Sequence, residues 1–158
     1  MTRYWLMKTE PGCFSIQDLA AANNRTSPWD GVRNYQARNF MRDAMRPGDP
    51  VLFYHSVTSP GIVGLAEVAG PARPDPTQWD PENEHFDPAS PADNPRWYLV
   101  DVTLTEIFPS PLPLPFLRSR PELEGMELLK KGSRLSIQPV SREHYDAIVK
   151  LAREQGRG

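Results

Sequence analysis

A single cysteine, Cys13, in 158 residues leaves no disulfide framework and no thiolate cluster for zinc. That fits a reducing, cytoplasmic setting. No apolar run approaches the ~20 residues that a membrane-spanning helix needs, and no charged-then-apolar leader opens the chain. Membrane and secretory readings are therefore set aside. Nor is there a basic excess: 18 Lys+Arg against 20 Asp+Glu give a formal charge of −2. A protein that coats nucleic acid must neutralise many phosphates at once. Any nucleic acid here is expected to bind through a local patch and a specific pocket. His55, His85 and His144 lie in unrelated contexts without metal-ligand spacing. Glycine-rich phosphate loops, His-Glu-x-x-His and Gly-x-Ser-x-Gly are all missing. No metal, no cofactor and no catalytic residue is assigned.

What the chain does have is proline, 18 in all, with 10 glycines breaking almost every stretch. Between these breaks, RYWLMK (3–8), VLFYHS (51–56), Ile62 to Val68, RWYLVDVTLTEI (96–107) and RLSIQPV (134–140) read as strands. The second and third of these form a hairpin across Ser59-Pro60-Gly61. Ser15-Ile16-Gln17-Asp18 is a capping-box pattern that starts a short helix. Asn34 caps another running to about Met45, with Ala37, Phe40, Met41 and Ala44 on one apolar stripe. Ser141 caps a third, whose Tyr145, Ile148, Val149 and Ala152 face the core. Residues 71–95 hold seven prolines and six acidic residues, with Arg73 the only basic one, and read as a long surface excursion. About five strands with short helices, joined mostly by turns, give an α+β fold with a curled mixed sheet. A single domain over residues 1–155, built as a small open barrel, is expected.

The chemistry concentrates in SPWDGVRNYQARNFMR (27–42). Trp29, Tyr35 and Phe40 alternate there with Arg33, Arg38 and Arg42 and with the amides of Asn34, Gln36 and Asn39. Residues 25–46 carry five arginines and two aspartates, a local balance of +3 in an acidic protein. Aromatic rings stack on bases at ~1–3 kcal/mol each, arginine forks grip phosphate, and amides read base edges. This is the composition of a base-reading pocket. The plain structural alternative is that Trp29 and Tyr35 are core aromatics and Arg38 and Arg42 a solvated helix face.

The strings YWLMKTEP, WDGVRNYQARNFMR, GDPVLFYHS, PGIVGLAEV, DPTQWDP, PRWYLVDV and LLKKGSRLSIQPV, in this order over residues 3 to 150, resemble the EVE domain, a family of bacterial proteins similar to thymocyte nuclear protein. The family's usual Lys-Ser-Glu-Pro is Lys8-Thr9-Glu10-Pro11 here, which keeps the hydroxyl. The resemblance implies a PUA-like fold, a mixed β-barrel of about five to six strands flanked by short helices. Its YTH relatives bind methylated adenosine in an aromatic cage. By that analogy the chain is a reader of a modified base in DNA or RNA. Trp29 stacks on the base, and Tyr35, Tyr54 or the Pro60-Gly61 turn supplies a second wall. Asn34, Thr9, His55 and Ser56 belong to the same pocket, with Asn34 and the hydroxyls of Thr9 and Ser56 on the polar edge. Lys8, Arg33, Arg38 and Arg96 are assigned to backbone or edge contacts. The acidic loop either closes over the base through Trp79 or Phe86 or, because its six carboxylates repel phosphate, limits where the strand runs. Two alternatives stand beside this reading. One is a small ASCH-like hydrolase acting on a modified nucleoside, with Lys8 and Glu10 as an acid–base pair. The other is a protein-interaction module using the proline-rich 109–121 stretch.

Overall fold

Residues 4–9 place apolar side chains on both faces of a strand, which suits only the middle of a sheet covered on both sides. The computed structural model, which describes residues 2–155, puts them there. In chain order the elements are Tyr4–Thr9 (β1), Ile16–Ala21 (α1), Thr26–Pro28 (β2), Tyr35–Asn39 (α2), Pro50–His55 (β3), Gly61–Val68 (β4), Arg73–Pro74 (β5), Tyr98–Leu99 (β6), Asp101–Pro113 (β7), Leu114–Arg118 (α3), Ile137–Val140 (β8) and Arg142–Gln155 (α4). Six strands form one sheet in the order β2-β7-β4-β3-β1-β8, and β5 pairs with β6 alone. Only β1 and β3 run parallel; the other neighbours are antiparallel. Register shifts between β4 and the 13-residue β7 mark bulges, which bend and twist a sheet. The result is an open half-barrel of the PUA-like kind.

Side-chain alternation gives the sheet two cores. Trp5, Met7, Val51 and Phe53 meet Ile16 and Leu19 of α1 and Ala37 of α2. Leu6, Leu52 and Tyr54 point the other way, toward Leu117, Leu123, Ile148 and Leu151. Each such side chain, fully buried, contributes roughly 1.5–3 kcal/mol. Gly64 marks the tightest approach: a Cβ there would collide with the Glu106 carbonyl and the Ile16 side chain. No helix of the described residues is long and apolar enough to cross a membrane.

The caps read from sequence are present. Ser15 Oγ accepts from Asp18 N at 3.0 Å, and Asp18 accepts from Ser15 N at 2.8 Å. Asn34 Oδ1 accepts from Ala37 N at 2.9 Å. The helix begun there widens into a π-helical turn over Phe40–Ala44, which keeps Met41 in the core. Two sequence expectations need correction. The long strand expected over 96–107 is broken at Val100, and β7 instead runs on through Pro113. Prolines two apart lack donors on the same strand edge, and β7 has no second neighbour beyond Thr103, so Pro109, Pro111 and Pro113 cost it no ladder bonds there. In the proline-rich 109–121 stretch Leu112 and Leu117 are fully buried. Finally, the 71–95 segment is no mere surface excursion. Asp75, Gln78 and Ser90 are buried in it, with Gln78 Nε2 donating to the Asp75 and Trp97 carbonyls and Gln78 Oε1 accepting from Ser90 Oγ and Trp97 N.

Candidate functional site

Short polar β2 pairs with β7, and the next backbone N–H, that of Trp29, donates to the Val100 carbonyl at 2.8 Å. This anchors the indole beside the end of β1. Its ring meets Phe53 edge-on at 5.5 Å and Phe14 at 6.3 Å, and the residue is 7% exposed. Of the four tryptophans, Trp5, Trp79 and Trp97 donate their indole N–H to Asp49 (3.0 Å), the Ser90 carbonyl (3.2 Å) and Asp87 (2.7 Å). The indole N–H of Trp29 has no partner among the described residues. Among the described residues only Gln138 Oε1 is a buried side-chain polar atom without a partner, so the Trp29 N–H, unpaired within the protein, is open to solvent.

Trp29 lines a cleft of about 590 Å³, within the ~300–1,000 Å³ of typical ligand sites. One wall comes from Lys8, Thr9, Glu10 and Phe14, and another from Trp29 to Arg33. Glu84 and His85 reach in from the acidic loop. The lining carries three carboxylates, those of Glu10, Asp30 and Glu84, beside the guanidinium of Arg33, while the Lys8 ammonium lies over the Tyr54 ring. That balance suits the amino group of a base better than a phosphate. Burial pushes the Lys8 ammonium pKa down, against the opposing pull of Glu127. Burial also raises the Asp30 carboxyl, and the nearby Asp75 charge adds to this while His85 and Arg33 oppose it.

A buried clasp holds the loop to the cleft. Arg33 donates to Asp75 Oδ2 (3.1 Å), Thr77 Oγ1 (3.1 Å) and the His85 carbonyl (2.7 and 3.1 Å). Asp75 also accepts from Gly31 N at 2.8 Å. Burial raises the Asp75 carboxyl, but hydrogen bonds from Thr77, Gly31 and Arg33 outweigh it and hold the group below the usual carboxylate range. Gly31 has φ +79° with the His85 ring against it, so a side chain fits there neither by backbone nor by space.

Of the residues assigned from sequence, the cleft gathers Lys8, Thr9, Trp29 and Arg33. Thr9 Oγ1 donates to the Phe14 carbonyl at 3.0 Å and keeps its lone pairs. Asn34 is exposed, its carbonyl oxygen occupied as the cap of α2. Tyr35, 52% exposed, stacks on Trp97 at 4.8 Å under the Arg38 guanidinium. Arg38 donates to the Arg96 carbonyl at 2.8 Å, and Arg96 lies 3.9 Å from Asp87. Tyr54 is buried on the opposite face of the sheet, with Lys8 Nζ 5.7 Å from its ring centre. His55 Nε2 accepts from Ile16 N at 3.0 Å, and burial lowers its pKa. His55 and Pro60 line a different, apolar groove of about 880 Å³. Gly61 is packed on the Leu112 carbonyl, and Ser56 N donates to the Thr9 carbonyl at 2.9 Å. Of the loop aromatics, neither Trp79 nor Phe86 lines the cleft; Glu84 and His85 do. Lys8 and Glu10 share the cleft wall without an ion pair. Among the described residues no group of three or more His, Cys, Asp or Glu side chains is placed to hold a metal.

Sequence reasoning missed Phe14, Asp30, Glu84, His85 and Ser136. Asp30-Gly31 directly follows Trp29, a signal within reach. Glu84 and His85 gave none, because only the folded loop brings them in.

The EVE domain profile matches residues 3–151. Human thymocyte nuclear protein 1 is 41% identical over 98% of this chain and 76% of its own length. The crystal structure of human THYN1 protein in complex with 5-methylcytosine containing DNA superposes with a TM-score of 0.87 at 43% identity, covering 96% of this chain and 98% of that one. A hypothetical protein from Leishmania major superposes with a TM-score of 0.92 at 49% identity, covering 98% and 97% of the two chains. A mutant ASCH protein from Zymomonas mobilis, at 10% identity and a TM-score of 0.54, shares the fold alone. The chain belongs to the EVE domain family.

Proposed function

We propose that this chain binds DNA carrying a modified base, most plainly a 5-methylated cytosine, and reads that base in the Trp29 cleft without chemistry. The carrying observation is that Trp29, whose indole N–H has no partner among the described residues, lines a base-sized cleft together with the carboxylates of Glu10, Asp30 and Glu84. The DNA complex of the human relative supports the ligand class. A cytosine must leave the stack to enter such a site. Inside, its ring carbonyl accepts from Trp29 Nε1, and its amino group donates to Asp30 or Glu10, the pairing that carboxylates make with cytosine N4. A 5-methyl group rests on the apolar wall of Phe14 and Val32. Arg33 is then a positioning residue, its guanidinium held by the loop. Lys8, Arg38 and Arg96 remain for the backbone, and Tyr35 for a flanking base.

The test is fluorescence anisotropy with duplexes carrying one 5-methylcytosine, 5-hydroxymethylcytosine, N6-methyladenine or no modification. A methyl group in an apolar pocket is worth ~1–3 kcal/mol, so about tenfold preference for one modified duplex is expected. Trp29→Phe keeps the ring but loses a donor worth ~0.5–1.5 kcal/mol, and is expected to weaken that binding about three- to tenfold. Equal binding to every duplex, or full selectivity in Trp29→Phe, would overturn the reading.

A further inference from the structure

The hairpin between β3 and β4 has an apex that the fold does not explain. Thr58 N donates back to the Ser56 carbonyl at 2.8 Å, closing a three-residue turn around Val57. Val57 sits at φ +69° and Ser59 at φ +44°. A tight turn with positive φ at its centre is rare and strained, and a β-branched residue is the worst suited to it. Glycine or asparagine would fit at no such cost. Nor does burial compensate: Val57 is 72% exposed, the most exposed large hydrophobic residue among the described residues. From Ser56 to Ala66 the chain bears no charged side chain. The apex is also tied to the cleft, since Ser56 N donates to the carbonyl of Thr9 at 2.9 Å and Thr9 lines the cleft wall.

We propose that Val57 is an apolar wedge that enters the base stack of a DNA duplex and fills the gap left when the modified base moves into the Trp29 cleft. This rests on the base-reading function proposed above and names the form of DNA it acts on, a paired duplex. Three observations converge on it. Inserted apolar side chains are how proteins hold base steps apart. An uncharged tip meets no electrostatic penalty near phosphates, and Thr58 and Ser59 offer hydroxyl donors to them. The strained turn also holds the side chain outward, so little freedom is lost on insertion.

The experiment compares two duplexes, one with 5-methylcytosine paired to guanine and one with it opposite an abasic site, where the base is already free to leave the stack. Wild type, Val57→Gly and Trp29→Phe are titrated against both, with thermal melts as a fold control. Val57→Gly relieves the positive φ, so its Tm is expected to equal or exceed that of wild type. Its affinity for the paired duplex should fall about tenfold, while that for the abasic duplex changes less than twofold. Val57→Leu should restore paired-duplex binding. If Val57→Gly binds the paired duplex as wild type does, or weakens equally on both, the wedge is wrong. In either case the base-reading cleft stands so long as Trp29→Phe still loses selectivity. Failure of wild type to bind either duplex removes both proposals.

Discussion

Replacing Asp75 by alanine removes the acceptor at the centre of the clasp between the acidic loop and the cleft. The carboxylate is fully buried and accepts from Gly31 N (2.8 Å), Thr77 N (2.9 Å), Thr77 Oγ1 (2.6 Å) and Arg33 Nη1 (3.1 Å). Removing one partner of a buried ion pair costs ~3–5 kcal/mol, because the other charge and its donors are left unmatched. Arg33 is partly exposed and keeps its bonds to the His85 carbonyl, so the low end, about 3 kcal/mol, applies. Asp75→Asn keeps the shape but turns an amide toward donors, at a cost of about 2 kcal/mol. Urea unfolding followed by tryptophan fluorescence measures both, at unchanged m. The pH dependence has a definite sign. A carboxyl held below its unfolded pKa of ~3.9 adds stability that is complete above that value and is lost as pH falls through the folded one. The gap between wild type and Asp75→Asn should therefore be constant near neutrality and close below about pH 4. A loss under 1 kcal/mol for Asp75→Ala would refute the clasp.

Three further outcomes are expected. Gly31→Ala places a methyl group against the His85 ring at positive φ, and should weaken modified-duplex binding severalfold while costing about 1–2 kcal/mol in stability; unchanged binding would dissociate His85 from the site. Gly64→Ala forces a Cβ against the Glu106 backbone and Ile16, and overpacking there should cost at least 1–3 kcal/mol in a denaturant titration. Burial lowers the His55 pKa, so wild-type stability should decline as pH drops from about 6.5 toward the folded value, and His55→Gln should lose that decline.

Local chemistry was the legible part of this chain. Ser15, Asn34 and Ser141 act as the caps their positions suggested, and the hairpin of β3 and β4 follows from two apolar runs around a turn. Trp29 and Thr9, far apart in the sequence, line one cleft. Tyr54 was misplaced for a simple reason. Alternation along β3 sends it to the face opposite Phe53, the ring that Trp29 touches. Asn34 carries both an amide and a capping position, and the backbone donor of Ala37 takes its oxygen. What the chain hid is non-local. A three-residue polar strand such as β2 has no hydrophobic period to betray it. The clasp joins Arg33 to Asp75 and His85 through a segment whose prolines and acids look like loop filler until Gln78 and Asp75 are seen buried.

The most direct test of the account is the indole region of a ¹⁵N–¹H spectrum, which holds one Nε1–H signal for each of the four tryptophans. Trp5, Trp79 and Trp97 donate to internal acceptors and serve as references, while Trp29 does not. Titration with a 5-methylcytosine duplex should shift the Trp29 signal downfield, as a new hydrogen bond forms, by more than any of the other three. A Trp29 signal that stays in place while the duplex binds would contradict the cleft as the site of base recognition.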